Sequence, residues 1–262
     1  GGTGGGTGGT VDAAAGADGS VAATDGGATD TAEARPPGTI PVFVAVGDNG
    51  ATMRSLDLGK TWVDSKRLMT GEIYGFRTAT YGKGLFIAIG WQLYTSPDGK
   101  TWTMRTKGSD QWMEGVKFGN GMFVAAGGYG HSIYSMDGVT WPDGGIRMTD
   151  AARSVAFGNG VWVARGDTGH WWQTADGKTW TDIGGAHGTD DVVFCGDHFS
   201  DSKACAMPLA HDLGRVAFGE GIWVGADDGK VDRSEDGGKT WTKVTTPNTD
   251  RISTIAFAYI AP

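Results

Sequence analysis

The sequence predicts an all-β fold: a five-bladed β-propeller of four-stranded antiparallel blades behind a low-complexity tail. Three observations carry this. From residue 41 onward the chain repeats with a period of about 39 residues; two short phrases recur in phase within each repeat; and the 47 glycines among 262 residues follow no Gly-X-Y period.

The tail comes first. Residues 1–38 hold 12 Gly, 9 Ala, 6 Thr and 4 Asp, with no aromatic, Leu, Ile, Met or Lys. Such a stretch cannot bury enough apolar surface to offset its ordering entropy, so it reads as a tether or an assembly arm. It carries −4 of the net charge of −8. Pro36, Pro37 and Gly38 mark the boundary before the propeller domain, residues 39–262.

The repeat follows. One phrase appears as SLDLGKTW (55–62), SPDGKTW (96–102), SMDGVTW (135–141), TADGKTW (174–180) and SEDGGKTW (234–241). Its tryptophans, Trp62, Trp102, Trp141, Trp180 and Trp241, are spaced 40, 39, 39 and 61 apart. The second phrase runs ahead of it: YGKGLFIAIG (81–90), FGNGMFVAAG (118–127), FGNGVWVARG (157–166) and FGEGIWVGAD (218–227). In one unit, Ser154–Phe157 is strand one and GNG is a tight hairpin. Strand two is Val161–Arg165, strand three Trp171–Thr174, and strand four lies around Thr179–Thr181. The first unit lacks a strand one and the last segment, IAFA (255–258), supplies one. Pairing it beside Val42–Val46 closes the ring and removes open edges.

The S-x-D-(x)-G-x-T-W phrase resembles the Asp-box, or BNR, repeat of sialidases, sortilin-type receptors and many secreted bacterial propellers. The fuller pattern is most similar to bacterial BNR-like propellers. The resemblance covers about 220 residues and implies a fold, not an activity. In each phrase the aspartate (Asp57, Asp98, Asp137, Asp176, Asp236) is expected to accept backbone N–H groups of its own turn while the tryptophan packs on the sheet. Rim sites for calcium or sugar are the alternative.

For a sialidase the resemblance implies an arginine triad, a Tyr–Glu pair and an acidic proton donor at the channel mouth. The segments leading into strand one carry Glu72, Tyr74 and Arg77; Trp112 and Glu114; Asp150 and Arg153; His211, Asp212 and Arg215; and Asp250 and Arg251. Converging arginines suit a carboxylate or sulfate, and Glu72, Asp150 or Asp212 suits acid–base work if buried. Those sialidases are generally six-bladed and carry a Phe/Tyr-Arg-Ile-Pro motif that GFRTAT (75–80) only echoes. The expectation is therefore no catalysis. Aromatics near turns, namely Trp91, Trp112, Tyr129 and the Trp171–Trp172 pair, are further candidates for stacking on sugars.

The long spacing marks an insertion, residues 187–212, that holds both cysteines; a Cys195–Cys205 disulfide is expected in an exported protein. Asp190, Asp191, Asp197, His198, Asp201 and His211 crowd it, but no spacing matches a zinc or EF-hand template, so neither metal nor cofactor is expected. A pI near 5 argues against nucleic acid. No run of about 18 apolar residues is present to span a membrane.

These readings converge on a non-catalytic, exported bacterial module, secreted or at the cell surface. Such tethers resemble those that follow the lipidated cysteine of surface lipoproteins. Its partner is expected to be itself, through residues 1–38, as a homo-oligomer or a fibre. Thr3, Thr7 and Thr10 are candidate O-glycan carriers. The alternative is a lectin-like binder of acidic glycans at the channel mouth, with a sialidase-type glycosidase third.

Overall fold

Period-two alternation closed by turns at positive φ generates the strands. The computed structural model describes residues 35–69, 75–108, 110–185, 191–195, 198–201, 215–227, 230–247 and 250–262. Thr3, Thr7, Thr10, Glu72, Tyr74, Cys205, His211 and Asp212 lie outside the described residues, as does the expected disulfide.

The first sheet contains β1 (Ile40–Gly47), β2 (Ala51–Ser55) and β3 (Val63–Arg67). The second is β4 (Phe76–Gly82), β5 (Leu85–Gly90), β6 (Leu93–Ser96) and β7 (Thr103–Arg105). The third is β8 (Met113–Gly119), β9 (Met122–Gly127), β10 (His131–Ser135) and β11 (Asp143–Ile146). The fourth is β12 (Ala152–Gly158), β13 (Val161–Gly166), β14 (Trp171–Thr174) and β15 (Thr181–Gly184). A two-stranded sheet follows, β16 (Val192–Cys195) and β17 (His198–Asp201). The last sheet is β18 (Val216–Gly219), β19 (Ile222–Asp227), β20 (Lys230–Ser234) and β21 (Thr242–Val244). The final strand, β22 (Ile252–Ile260), returns to pair antiparallel with β1, from Ile40 opposite Ile260 to Val46 opposite Thr254.

In the four-stranded sheets the first hairpins described turn at two residues of positive φ: Lys83–Gly84, Asn120–Gly121, Asn159–Gly160 and Glu220–Gly221. A two-residue turn of that hand matches the twist of the flanking strands. Strand four starts at Thr181, later than the sequence suggests, because Thr179 and Trp180 belong to the preceding turn.

Sheets pack face to face through their second strands. Val42, Val44, Phe86 and Ala88 share one apolar layer, and Ile87, Ile89, Phe123 and Ala125 the next. Ala156, Val163, Trp171 and Val192, with Phe199 against them, form the layer that joins the fourth sheet to the two-stranded one. Inner strands interlock by glycine under aromatic. A Cβ on Gly82 would stand 2.3 Å from the Phe118 ring, on Gly119 2.4 Å from Phe157, on Gly158 2.1 Å from Phe194, and on Gly219 2.3 Å from Phe257.

Five sheets were expected and, among the described residues, six are found. The insertion is not simply a loop: Val192-Val193-Phe194 repeats the Val-Ala-Phe of β12 and β18, and Phe194 takes the same place over a glycine. Trp171 and Trp172, expected as candidates for stacking on sugars, are instead buried. They are 5% and 6% exposed, in layers on either side of the fourth sheet. Among the described residues no helix is long and apolar enough to cross a membrane.

Candidate functional site

Antiparallel order separates two ends of the fold. Strand one begins, and strand two ends, at the same end; the aspartate turns between strands three and four lie at the other. There the five aspartates spend their acceptor capacity locally. Asp137 Oδ1 accepts from Ser135 Oγ at 3.0 Å, Val139 N at 2.8 Å and Thr140 N at 2.7 Å. Asp57, Asp98, Asp176 and Asp236 each accept the equivalent threonine N–H at 2.7–2.9 Å. Trp102, Trp141 and Trp241 donate Nε1–H to the turn glycine's carbonyl, at 3.1, 2.9 and 2.8 Å. Trp180 reaches Ser132 Oγ instead, at 3.1 Å, and Trp62 is buried. Backbone donors hold the Asp137 carboxyl at a pKa of about 2.

The opposite end holds the candidate site. Among the described residues, a cavity of about 370 Å³ is lined there by Arg77, Lys117, Arg153, Arg165, Arg215 and Arg251, with Glu114, Asp167 and Asp191 as acids. Five residues named from the sequence, Arg77, Glu114, Arg153, Arg215 and Arg251, therefore meet at one place.

Arg77, Glu114 and Arg153 occupy the second position of β4, β8 and β12. Neighbouring inner strands set Glu114 between the two guanidiniums, 3.7 Å from Arg77 and 3.8 Å from Arg153. Arg153 also grips Asp167 with two nitrogens, one bond 3.0 Å long. Burial raises the Glu114 pKa, and both arginines oppose that rise. Burial also lowers the Lys117 ammonium to about 8, against the pull of Asp191.

Lys117 and Arg165 escaped the sequence reading, although the repeat marks both. Lys117 stands where the other inner strands carry Thr80, Ala156, Val193, Ala217 and Ala256. Arg165, 6% exposed, stands where the other second strands carry Val46, Ile89, Ala126 and Ala226. Val192 and Val193 of the two-stranded sheet complete the wall.

Arg77 extends the site outward. Its guanidinium carbon lies 4.6 Å over the Trp112 ring, and Trp112 meets Trp91 edge to face at 6.3 Å. Asp150 is not a cavity residue; it accepts from Thr168 N at 3.0 Å and Trp172 Nε1 at 3.1 Å. Asp250 pairs with Arg67. Among the described residues no three His, Cys, Asp or Glu side chains cluster as metal ligands.

No protein-family profile matches the sequence, and no curated protein does. Solved structures do. The chain is similar to a structure of a nidogen/laminin complex, with a TM-score of 0.54, 11% identity, and coverage of 82% of this chain and 98% of that one. It is also similar to YCF48 bound to D1 peptide (TM-score 0.49, 17% identity, 87% and 94% covered). An ancestral GH74 enzyme gives a TM-score of 0.44 at 14% identity, covering 85% of this chain and 32% of that one. The nidogen of that complex is a β-propeller protein, and at 11% identity the likeness concerns the fold alone: with its four-stranded antiparallel sheets, the chain is a β-propeller.

Proposed function

We propose that this propeller is a binding module that receives an acidic group, a carboxylate or sulfate, in its cationic channel. The observation that carries the reading is the lining: among the described residues, six cationic side chains against three carboxylates around a cavity of about 370 Å³. Pairing with Glu114 and Asp167 fixes the guanidinium of Arg153 and leaves the lining a net positive charge for an incoming anion. The reading takes the two-stranded sheet as a sixth, shortened blade, and β22 as the strand that closes the ring.

The self-assembling surface role expected of residues 1–38 rests almost wholly on residues outside the description, so the channel reading takes its place. Glycan recognition, the earlier alternative, is one form of it.

Calorimetric titration with sulfate, citrate and galacturonate tests the proposal. Binding is expected to weaken at high salt. Arg153→Ala is expected to lower affinity about 10- to 100-fold, as loss of a charge-assisted contact does. Acids that fail to bind at millimolar concentration and low salt would falsify it.

A further inference from the structure

Trp91 sits in the turn between β5 and β6, at the channel end, and is 43% exposed. It is held rather than loose. On one side Trp112 packs against it edge to face, and Arg77 lies over Trp112. Lys107 places its ammonium 5.6 Å from the Trp91 ring centroid while donating to the Gln111 carbonyl oxygen. The ring is thus one member of a ladder, Arg77–Trp112–Trp91–Lys107, whose first member lines the cavity.

The two steps of 4.6 and 6.3 Å, laid end to end, put the Trp91 ring no more than about 11 Å from the Arg77 guanidinium. A ligand anchored by an acid in the channel therefore needs only a second ring to reach the indole.

Resting on the channel reading, we propose that Trp91 is a stacking platform for a sugar ring next to the acidic residue, so that the ligand is an acidic oligosaccharide. The surroundings favour sugar over an apolar peptide side chain. Lys107 holds its ammonium over the indole, and the ring is 43% exposed. An open ring beside a cationic donor matches a pyranose, whose C–H face stacks while its hydroxyls accept from the ammonium. An aliphatic or aromatic side chain gains most in an enclosing apolar pocket, and a ring this exposed is not enclosed.

Calorimetry with galacturonic acid and its trimer, and with N-acetylneuraminic acid and its dimer, provides the test. For at least one pair the longer sugar is expected to bind at least tenfold more tightly. Trp91→Ala should abolish that gain and leave the monomer's affinity unchanged, and Trp91→Phe should retain part of it. Circular dichroism checks that both variants fold.

If monomers bind but no longer sugar gains, or if Trp91→Ala weakens monomer and oligomer alike, the platform is refuted while the channel reading stands. If an acidic peptide bearing an aromatic side chain gains through Trp91 and sugars do not, the platform belongs to a peptide and the proposal falls. If no acid binds at all, both readings fall.

Discussion

Alanine at Gly158 places a methyl carbon 2.1 Å from the Phe194 ring, well inside contact distance, so the ring or β16 must shift. Gly158 is not among the glycines of positive φ, so the change adds no backbone strain. Overpacking costs about 1–3 kcal/mol, and stiffening the unfolded chain returns about 0.4–1 kcal/mol. The net loss is about 1–2 kcal/mol, or a melting temperature lower by roughly 2–8 °C for a domain of this size. Gly119→Ala, aimed at Phe157 from 2.4 Å, is the internal control. Phe194→Ala removes the ring, and the double variant should recover most of the Gly158→Ala loss. Unfolding of the four proteins in denaturant then yields a coupling energy of about 1 kcal/mol or more. If the two changes add to within about 0.5 kcal/mol, Phe194 does not rest on Gly158, and the two-stranded sheet is no part of the ring. Because Val192 and Val193 line the cavity, Gly158→Ala should also weaken acid binding, and so should Gly119→Ala, whose Phe157 follows the cavity residues Val155 and Ala156.

Two further predictions concern charge. The Lys117 ammonium is held near 8, below its ordinary 10.5, so sulfate affinity should fall as pH rises from 7 to 9, and Lys117→Met should flatten that profile in calorimetry. Between about 8 and 10.5 the unfolded chain binds more protons at this lysine than the folded one, so its contribution to stability increases with pH across that window. At the acid end, Asp137 and Asp176 are held near 2. Their stabilisation is fully present above about 3.8 and is lost as pH falls toward 2. Asp137→Ala should cost about 1 kcal/mol at neutral pH after allowance for solvent screening, measured by thermal unfolding.

The fold was legible wherever physics forces the copies to agree. Two-residue hairpins demand positive φ, which Asn-Gly supplies at 120–121 and 159–160; the aspartate turns demand a carboxylate and a threonine at fixed spacing. The sixth sheet was missed because its hairpin reads Cys195-Gly-Asp-His198 in place of Gly-Asn-Gly, and no S-x-D-G-x-T-W phrase follows it. What persists is Val-Val-Phe, a pattern too short to stand out without the glycine it covers. At the site, Arg77, Glu114, Arg153 and Arg215 were legible because strand starts converge on a channel mouth. Lys117 and Arg165 lie one to three residues deeper, within strands whose other copies are apolar or small, and were read with those copies.

That oversight supplies a physical criterion for separating function from fold in this chain. A residue the propeller needs must recur in the copies, because each blade solves the same packing problem. Lys117 and Arg165 recur in none, and each carries a cost. Burial disfavours the Lys117 charge, and Arg165 is almost wholly covered. Nothing in the blade repeat calls for either, and the proposal of an acid-binding channel accounts for their place in the cavity. The two ends of the fold should then respond independently. Asp137→Ala should lower stability and leave acid affinity intact, whereas Lys117→Met should lower acid affinity and, by removing a poorly solvated charge, leave stability equal or higher. A Lys117→Met protein that is markedly less stable yet binds acids as before would make Lys117 part of the scaffold after all.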